Sequence, residues 1–371
     1  MSRFEIDIIA CRGRQQRLLA EMQRQQLDCV VVTQTEHVQY LSGPRFAWYH
    51  QAAAVLDHQG RLTLVAPNQA PAVAAADDIV TYEAQWHSTL RNDQREACCQ
   101  ALYRSAWRGR SSTRIGVEYS TAGPHVTGLF SDANLIDIEP TLYRLRRRKD
   151  ADELARIRQA IAATGRMYER ARESIVPGVT EIEIFNQLQA AAVEFLGEPL
   201  TGTGNDYQCG SPGGPPRQGR RAAAGELYIL DLGPAFRGYF ADNCRTFAVT
   251  QADERQQEAW SLIQRAFAHV EQAVRPGKQA RELFQEVQAI LDAAPLGRFT
   301  HHLGHGIGLF PHETPHLNPH WDDRFEVGDV FTAEPGLYAP ELRAGMRIEN
   351  DYLVTETGVE CLSPFPMQLD R

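Results

Sequence analysis

Apolar positions recur along this chain with two periods, one fitting helices and one fitting strands. Over the first part the two interleave. Arg12 to Gln26 carries apolar residues at helical spacing, and the run Cys29-Val-Val-Val-Thr33 follows as a strand. Ala53–Leu56 and Leu62–Val65 flank Asp57-His-Gln-Gly60, which predicts a strand–turn–strand. Arg114–Tyr119 and Leu135–Ile138 predict further strands, giving a small α/β domain over residues 1–145. The charged run Arg144-Leu-Arg-Arg-Arg-Lys-Asp150 breaks the pattern. Such runs are usually solvated, and this one marks the expected boundary of a second domain over 150–371.

The second domain contains an internal repeat. Pro177-Gly178 precedes Phe185 by the same spacing that separates Pro276-Gly277 from Phe284. Each Pro-Gly follows a long amphipathic pattern (151–174 and 254–274) and opens another (180–196 and 279–293). Thr180 and Glu183 form a capping-box signature at one of these starts. Each helix pair leads to a strand–turn–strand carrying acids, which predicts an α+β domain of two pseudo-symmetric halves with a site where they meet.

The acids give that site its chemistry. Leu227-Tyr-Ile-Leu-Asp231 and Gly238-Tyr-Phe-Ala-Asp242 read as one hairpin. A turn centred near Phe236 and Arg237 sets Asp231 opposite Asp242, with Cβ atoms ~5 Å apart. Carboxylates that close repel unless a cation lies between them. Val330-Phe-Thr-Ala-Glu334 and Met346-Arg-Ile-Glu349 repeat the arrangement, with a turn near Glu341 and Leu342 placing Glu334 opposite Glu349. Four such oxygens suffice for two hard cations. Six of the twelve histidines lie between 301 and 320. His305, between Gly304 and Gly306, is expected to approach a metal through unhindered backbone. His312 is a candidate for binding substrate or moving protons.

Composition narrows the partners. The net charge of −9 argues against nucleic acid, whose phosphates recruit basic surfaces. No apolar stretch approaches the ~20 residues that span a bilayer, and the N-terminus lacks a signal-peptide pattern. Seven cysteines without a Cys-x-x-Cys pair suggest reduced thiols in a cytoplasmic protein.

The segments Gly304-His-Gly-Ile-Gly308, His312-Glu-Thr-Pro315, Glu334-Pro-Gly336 and Arg347-Ile-Glu349 resemble the M24 metallopeptidases, the pita-bread enzymes that include Xaa-Pro aminopeptidases, prolidases, methionine aminopeptidases and creatinase. The resemblance covers nearly the whole chain, with a creatinase-like first domain. It implies Asp231, Asp242, His305, Glu334 and Glu349 as ligands of two divalent metals, manganese foremost, with iron, cobalt or zinc as alternatives. It also implies a hydroxide held by the metals, with Glu334 managing its proton. His312 would stabilise the tetrahedral intermediate, His301 would contact substrate near the leaving group, and Arg347 would orient an acid or a substrate carboxylate. A homodimer is implied too. In dimeric relatives an aromatic residue from the region of Phe46-Ala-Trp48-Tyr49-His50 reaches the neighbour's active site, making Trp48 a substrate-binding candidate.

One departure stands out. Xaa-Pro peptidases carry another histidine about seventeen residues before the first ligand, and here Gly214 lies near that position in Gln208-Cys-Gly-Ser-Pro-Gly-Gly-Pro-Pro216. The Gly/Pro-rich loop is either a surface insertion or a reshaped pocket wall, and the second is expected, with Gly214 at the substrate. The expected activity is hydrolysis of Xaa-Pro peptides or a related small amide. The alternatives are different chemistry on the same fold, such as a lyase resembling the dimethylsulfoniopropionate-cleaving enzymes or a non-peptide C–N hydrolase, and last a non-catalytic binding protein.

Overall fold

The computed structural model describes residues 4–87, 90–107, 114–121, 123–130, 133–204 and 206–370. The chain divides into two compact units, Met1–Arg146 and Arg147–Arg371.

The first unit runs α1 (Ile8–Gln25), β1 (Cys29–Val32), α2 (Thr35–Ser42), β2 (Ala53–Asp57), β3 (Leu62–Pro67), β4 (Asp78–Tyr82), α3 (Arg91–Leu102), β5 (Arg114–Val117), α4 (Gly123–Thr127), β6 (Asn134–Asp137) and α5 (Glu139–Arg147), the last reaching the division. Its sheet has the order β4-β3-β2-β1-β5-β6. The strand β1 is apolar and fully buried because it is central, antiparallel to β2 and parallel to β5. On one face Cys98, Leu102 and Val126 pack against Cys29 and Val31.

The charged run at 144–150 is solvated only in part, at Arg144 and Arg148. Arg146, Arg147 and Lys149 are buried. Within the first unit Arg146 Nη1 lies 2.9 Å from His37 Nε2. Within the second, Arg147 pairs with Asp329 through Nε (2.9 Å) and Nη2 (2.6 Å), and Lys149 Nζ lies 3.1 Å from Glu313. Buried cations need such partners, and a tally of charge along the sequence does not show them.

The second unit begins with α6 (Ala151–Ser174) and α7 (Glu181–Leu196), then β7 (Asp206–Cys209), β8 (Leu227–Leu232), β9 (Ala235–Phe236), β10 (Tyr239–Phe240) and β11 (Asn243–Ala248). A second round follows: α8 (Glu254–Ala273), α9 (Ala280–Leu291), β12 (Gly304–Gly306), β13 (Glu313–Leu317), β14 (Val330–Ala333), β15 (Gly336–Leu337), β16 (Met346–Arg347), β17 (Asn350–Val354) and β18 (Val359–Cys361). The repeat is visible in the backbone. Gly178 (φ 92°) and Gly277 (φ 89°) each donate to a carbonyl downstream, of Ala222 and of Phe325. The isolated bridges Thr180↔Arg221 and Gln279↔Arg324 follow at equivalent steps. Each half has its own core. Met167, Ile184 and Leu188 pack on Tyr207, Leu230 and Phe247; Ile263, Leu283 and Val287 pack on Phe331 and Tyr352.

Candidate metal centre

Two hairpins bring the acids together. In the first, β9 and β10 close at Arg237-Gly238, whose φ angles of 49° and 91° define a type I′ turn. The register follows from that turn: Asp231 faces Cys244, not Asp242. The expected pairing is therefore wrong by two residues, because the turn sits one residue later than expected. A shift of two keeps the side chain on the same face. Asp242 still converges, and ligand atoms of Asp231, Asp242 and Glu349 lie within 4.8 Å of one another.

In the second hairpin Ala333 faces Asn350 and Gly336 faces Arg347, so Glu334 stands opposite Glu349 between two ladders of one register. His305 on β12 joins them, with His305, Glu334 and Glu349 forming a second cluster within the same 4.8 Å limit. The halves are bonded directly, since Glu349 N–H donates to Cys244 O (2.9 Å).

The glycines beside His305 serve a different purpose from the one expected. A Cβ at Gly304 would collide with the Thr332 backbone and one at Gly306 with that of Thr314. They let neighbouring strands close on β12, and this fixes where His305 points. Its Nδ1 lies 3.0 Å from Gly306 O, which makes Nδ1 the donor and leaves Nε2 free, 3.6 Å from Asp242 and 3.8 Å from Glu334. Burial holds the imidazole at about 4, hence neutral, the form that binds metals.

The electrostatics call for a cation. Burial, then the surrounding acids, push Asp242 and Glu349 well above the usual carboxylate range. Asp231 is raised to about 6 by burial, against the pull of Arg347. Glu334 goes the other way, to about 2, because hydrogen bonding and charge from His302, followed by His305 and His301, outweigh its burial. Glu349 Oε2 is buried with no hydrogen-bond partner among the described residues. An orphaned carboxylate oxygen amid mutually repelling acids and one neutral imidazole is a donor set that fits divalent ions.

Around this centre stand the other candidates. His301 Nδ1 lies 2.8 Å from His302 O and its Nε2 2.9 Å from Tyr338 Oη. His312 is stacked on His305 at 3.8 Å between centroids, and its ring nitrogen lies within 4.8 Å of ligand atoms of Asp242 and His305. Arg347 donates to Asp231 Oδ2 (2.7 Å), to Asp206 and to Tyr338 Oη (3.2 Å). Trp48 belongs to the first unit, between α2 and β2, and is 74% exposed.

Asp206, Tyr338, His302 and Asp351 were not foreseen as members of the site. Asp206 faces Asp231 across β7 and β8 and shares Arg347 with it. The Gly/Pro-rich loop folds back onto this residue and is not a free surface insertion: Gly214 N–H donates to Asp206 Oδ1 (2.7 Å) and Tyr207 N–H donates to Gly214 O (2.8 Å). At φ 125° position 214 favours glycine, and Gln208 Nε2, 2.7 Å from where a Cβ would sit, would have to move to admit a histidine. His302 lies 3.1 Å from Glu334. Asp351, fully buried, was readable from the two-residue strand period starting at Glu349.

The seven cysteines are thiols outside any disulfide, and no helix among the described residues is long and apolar enough to cross a membrane.

Comparison with known proteins fits this geometry. The model of metallopeptidase family M24 matches residues 155–356, and that of the creatinase/prolidase N-terminal domain matches 14–148. An uncharacterized peptidase of Staphylococcus aureus is 31% identical over 233 residues, which is 62% of this chain and 66%, just under two thirds, of its own length. Probable dipeptidase PepE of Mycobacterium bovis is 31% identical over 71% of this chain and 72% of its own. The solved Xaa-Pro dipeptidase from Bacillus anthracis superposes with a TM-score of 0.82 at 23% identity, over 97% of this chain and 99% of that one. The chain is a member of metallopeptidase family M24, with a creatinase/prolidase-type N-terminal domain ahead of its pita-bread domain.

Proposed function

We propose that the second unit hydrolyses the amide bond of short Xaa-Pro peptides with two divalent cations, manganese foremost and iron, cobalt or zinc as alternatives. The supporting observation is the convergence of Asp231, Asp242, His305, Glu334 and Glu349 in two clusters sharing Glu349, whose Oε2 has no hydrogen-bond partner among the described residues. Bound there, the cations would supply Lewis-acid polarisation of the scissile carbonyl.

The remaining steps fall to side chains. Glu334, ringed by His301, His302 and His305, takes the proton of the attacking water on a carboxylate oxygen. Burial keeps His301 neutral, with its proton on Nδ1 facing His302 O, so Nε2 accepts from the Tyr338 hydroxyl. That fixes the ring for contact near the leaving group. His312 is exposed beside His305 and donates to the oxygen that gains charge. Arg347 is engaged by Asp231 and Asp206, so it orients these acids and does not bind a substrate carboxylate. The same reading makes the protein a cytoplasmic homodimer, with exposed Trp48 available to a neighbouring copy's substrate.

A second reading, a non-peptide C–N hydrolase or a lyase, is favoured by one observation. Where Xaa-Pro peptidases place their upstream histidine, this chain has the Gly214 loop closed on Asp206. Proline release from a panel of Xaa-Pro dipeptides and tripeptides by manganese-loaded protein decides between them. Release is expected, abolished by chelation and reduced on the order of 10³-fold or more by Glu349→Ala. Fully metal-loaded protein that releases no proline would favour the second reading.

A further inference from the structure

Of the four histidines around the metal centre, His301, His302, His305 and His312, the last alone is exposed. Among the described residues it makes no hydrogen bond. Its ring is stacked on His305 and meets His302 edge-on at 6.2 Å between centroids. An exposed ring with so few holds stays in a productive place only if its backbone is fixed. The strand ladder does not fix it alone. β12 and β13 lose register there, His305 facing His316 and Gly306 facing Glu313, with Thr314 and Pro315 left out of the ladder.

A buried ion pair lies one residue further on. Lys149, just ahead of α6, reaches Glu313 Oε2 at 3.1 Å, the two side chains being 1% and 4% exposed. Lys149 is itself anchored, its N–H donating to Gly328 O (3.2 Å). Glu313 Oε1 accepts from Phe310 N–H (3.0 Å), so one carboxylate ties down both ends of the segment that carries His312. At the head of this segment Gly308 O accepts from Phe240 N–H (2.9 Å), on β10 of the other half. A Cβ at Gly308 would lie 2.8 and 2.9 Å from the Glu313 carboxylate oxygens and 3.0 Å from Lys149 Cε. The loop therefore folds over the ion pair as closely as glycine allows. Breaking such a pair leaves an uncompensated buried charge, which disfavours other placements of the loop.

We infer that Lys149 is a positioning residue: through Glu313 it holds His312 against His305, where the imidazole can donate to substrate. The consequence for turnover rests on the peptidase reading, whereas the placement of the ring does not.

Two measurements test this. In metal-free protein, above the pH range in which histidine titrates, the imidazole carbon resonances of His312 report its stacking and are assigned by their absence in His312→Ala. Lys149→Met should move them towards the values of free histidine. So should Lys149→Met combined with Glu313→Gln, in which no buried charge is left unpaired. In manganese-loaded protein the combined variant should lower kcat for Xaa-Pro peptides about tenfold or more, with KM and metal content held within about twofold. Added to His312→Ala, the same two changes should lower kcat no further, because they act through that ring. Unmoved His312 resonances in the combined variant, a kcat within about twofold of wild type, loss of metal, or the full loss repeated in His312→Ala would each overturn the inference. Wild-type protein that releases no proline would sink the peptidase reading alone, and the resonances would still decide whether Lys149 places the ring.

Discussion

In the first half of the second unit, two residues, Arg237 and Gly238, turn the acid-bearing strands. In the second half the loop 338–345 does so, with a 3₁₀ turn at Pro340–Leu342 and positive φ at Arg343, Ala344 and Gly345. The short turn ties Asp231 to Cys244 and leaves Asp242 diagonal to it; the long loop keeps Glu334 square to Glu349. Yet both pairs reach one centre. In a strand, the parity of a position decides which face a side chain takes, and the exact partner matters less. Two unlike turns can therefore feed one cluster of acids, provided the halves are locked to each other.

Arg245 is that lock, and removing it has the largest expected effect on stability. It is 1% exposed and donates to Cys244 O (2.8 Å), Glu349 O (2.7 Å) and Asn350 Oδ1 (2.8 Å), and on to Pro366 O (3.1 Å). Arg245→Met should cost roughly 3 kcal/mol or more, because several buried acceptors lose their donor. Urea unfolding measures this, and a loss below ~1 kcal/mol would mean the backbone bond from Glu349 to Cys244 suffices.

The halves also differ in the third acid. Beside the first hairpin, β7 brings Asp206, which shares Arg347 with Asp231; beside the second, β12 brings His305. Asp206→Asn should lower kcat about tenfold while leaving metal content unchanged, as expected for a group that orients a ligand and does not bind the metal. Metal loss in this variant would move Asp206 into the ligand set.

Smaller effects are expected at the turns. Gly238 has φ 91°, and Gly238→Ala should cost about 1 kcal/mol. Ala344 already sits at φ 93°, so Ala344→Gly should gain about 0.5–1 kcal/mol. Opposite signs in thermal or urea unfolding would support the contrast between a turn built for its residues and a loop that tolerates strain; equal signs would remove it.

Much of this was legible in the sequence. The four long helices of the second unit follow from apolar period and the two Pro-Gly steps, because both signals are local. Strand β4 was missed because its burial is slight, so no alternation marks it. Asp206 was missed because its importance lies in long-range partners, Arg347 and Asp231, that no local pattern reveals. Tyr338 and His302 were hidden for the same reason. The turn of the first hairpin closes at Arg237-Gly238, one residue later than the expected centre near Phe236 and Arg237, because Gly238 supplies the positive φ of the second turn position.

The finest difference between the halves is at the helix starts after each Pro-Gly. Glu181 opens α7 fully buried; Ala280, equally buried, holds the same place in α9. Glu181 accepts from Arg217 Nη2 (2.6 Å), Arg217 N–H (2.7 Å) and Cys209 N–H (3.0 Å). Burial alone would raise its carboxyl, but the Arg217 guanidinium and the two backbone donors outweigh it and hold the pKa below the ordinary glutamate value. A group with a depressed folded pKa contributes stability that is present above its unfolded value of ~4.3 and fades as pH falls through the folded one. The stability gap between the wild type and Glu181→Ala should therefore be widest at neutral pH and narrow below pH ~4.5. The gap for Ala280→Gly, where nothing titrates, should stay level over the same range. A Glu181→Ala gap independent of pH would mean that Arg217 holds the glutamate no more tightly than water does, and the two helix starts would then differ in packing alone.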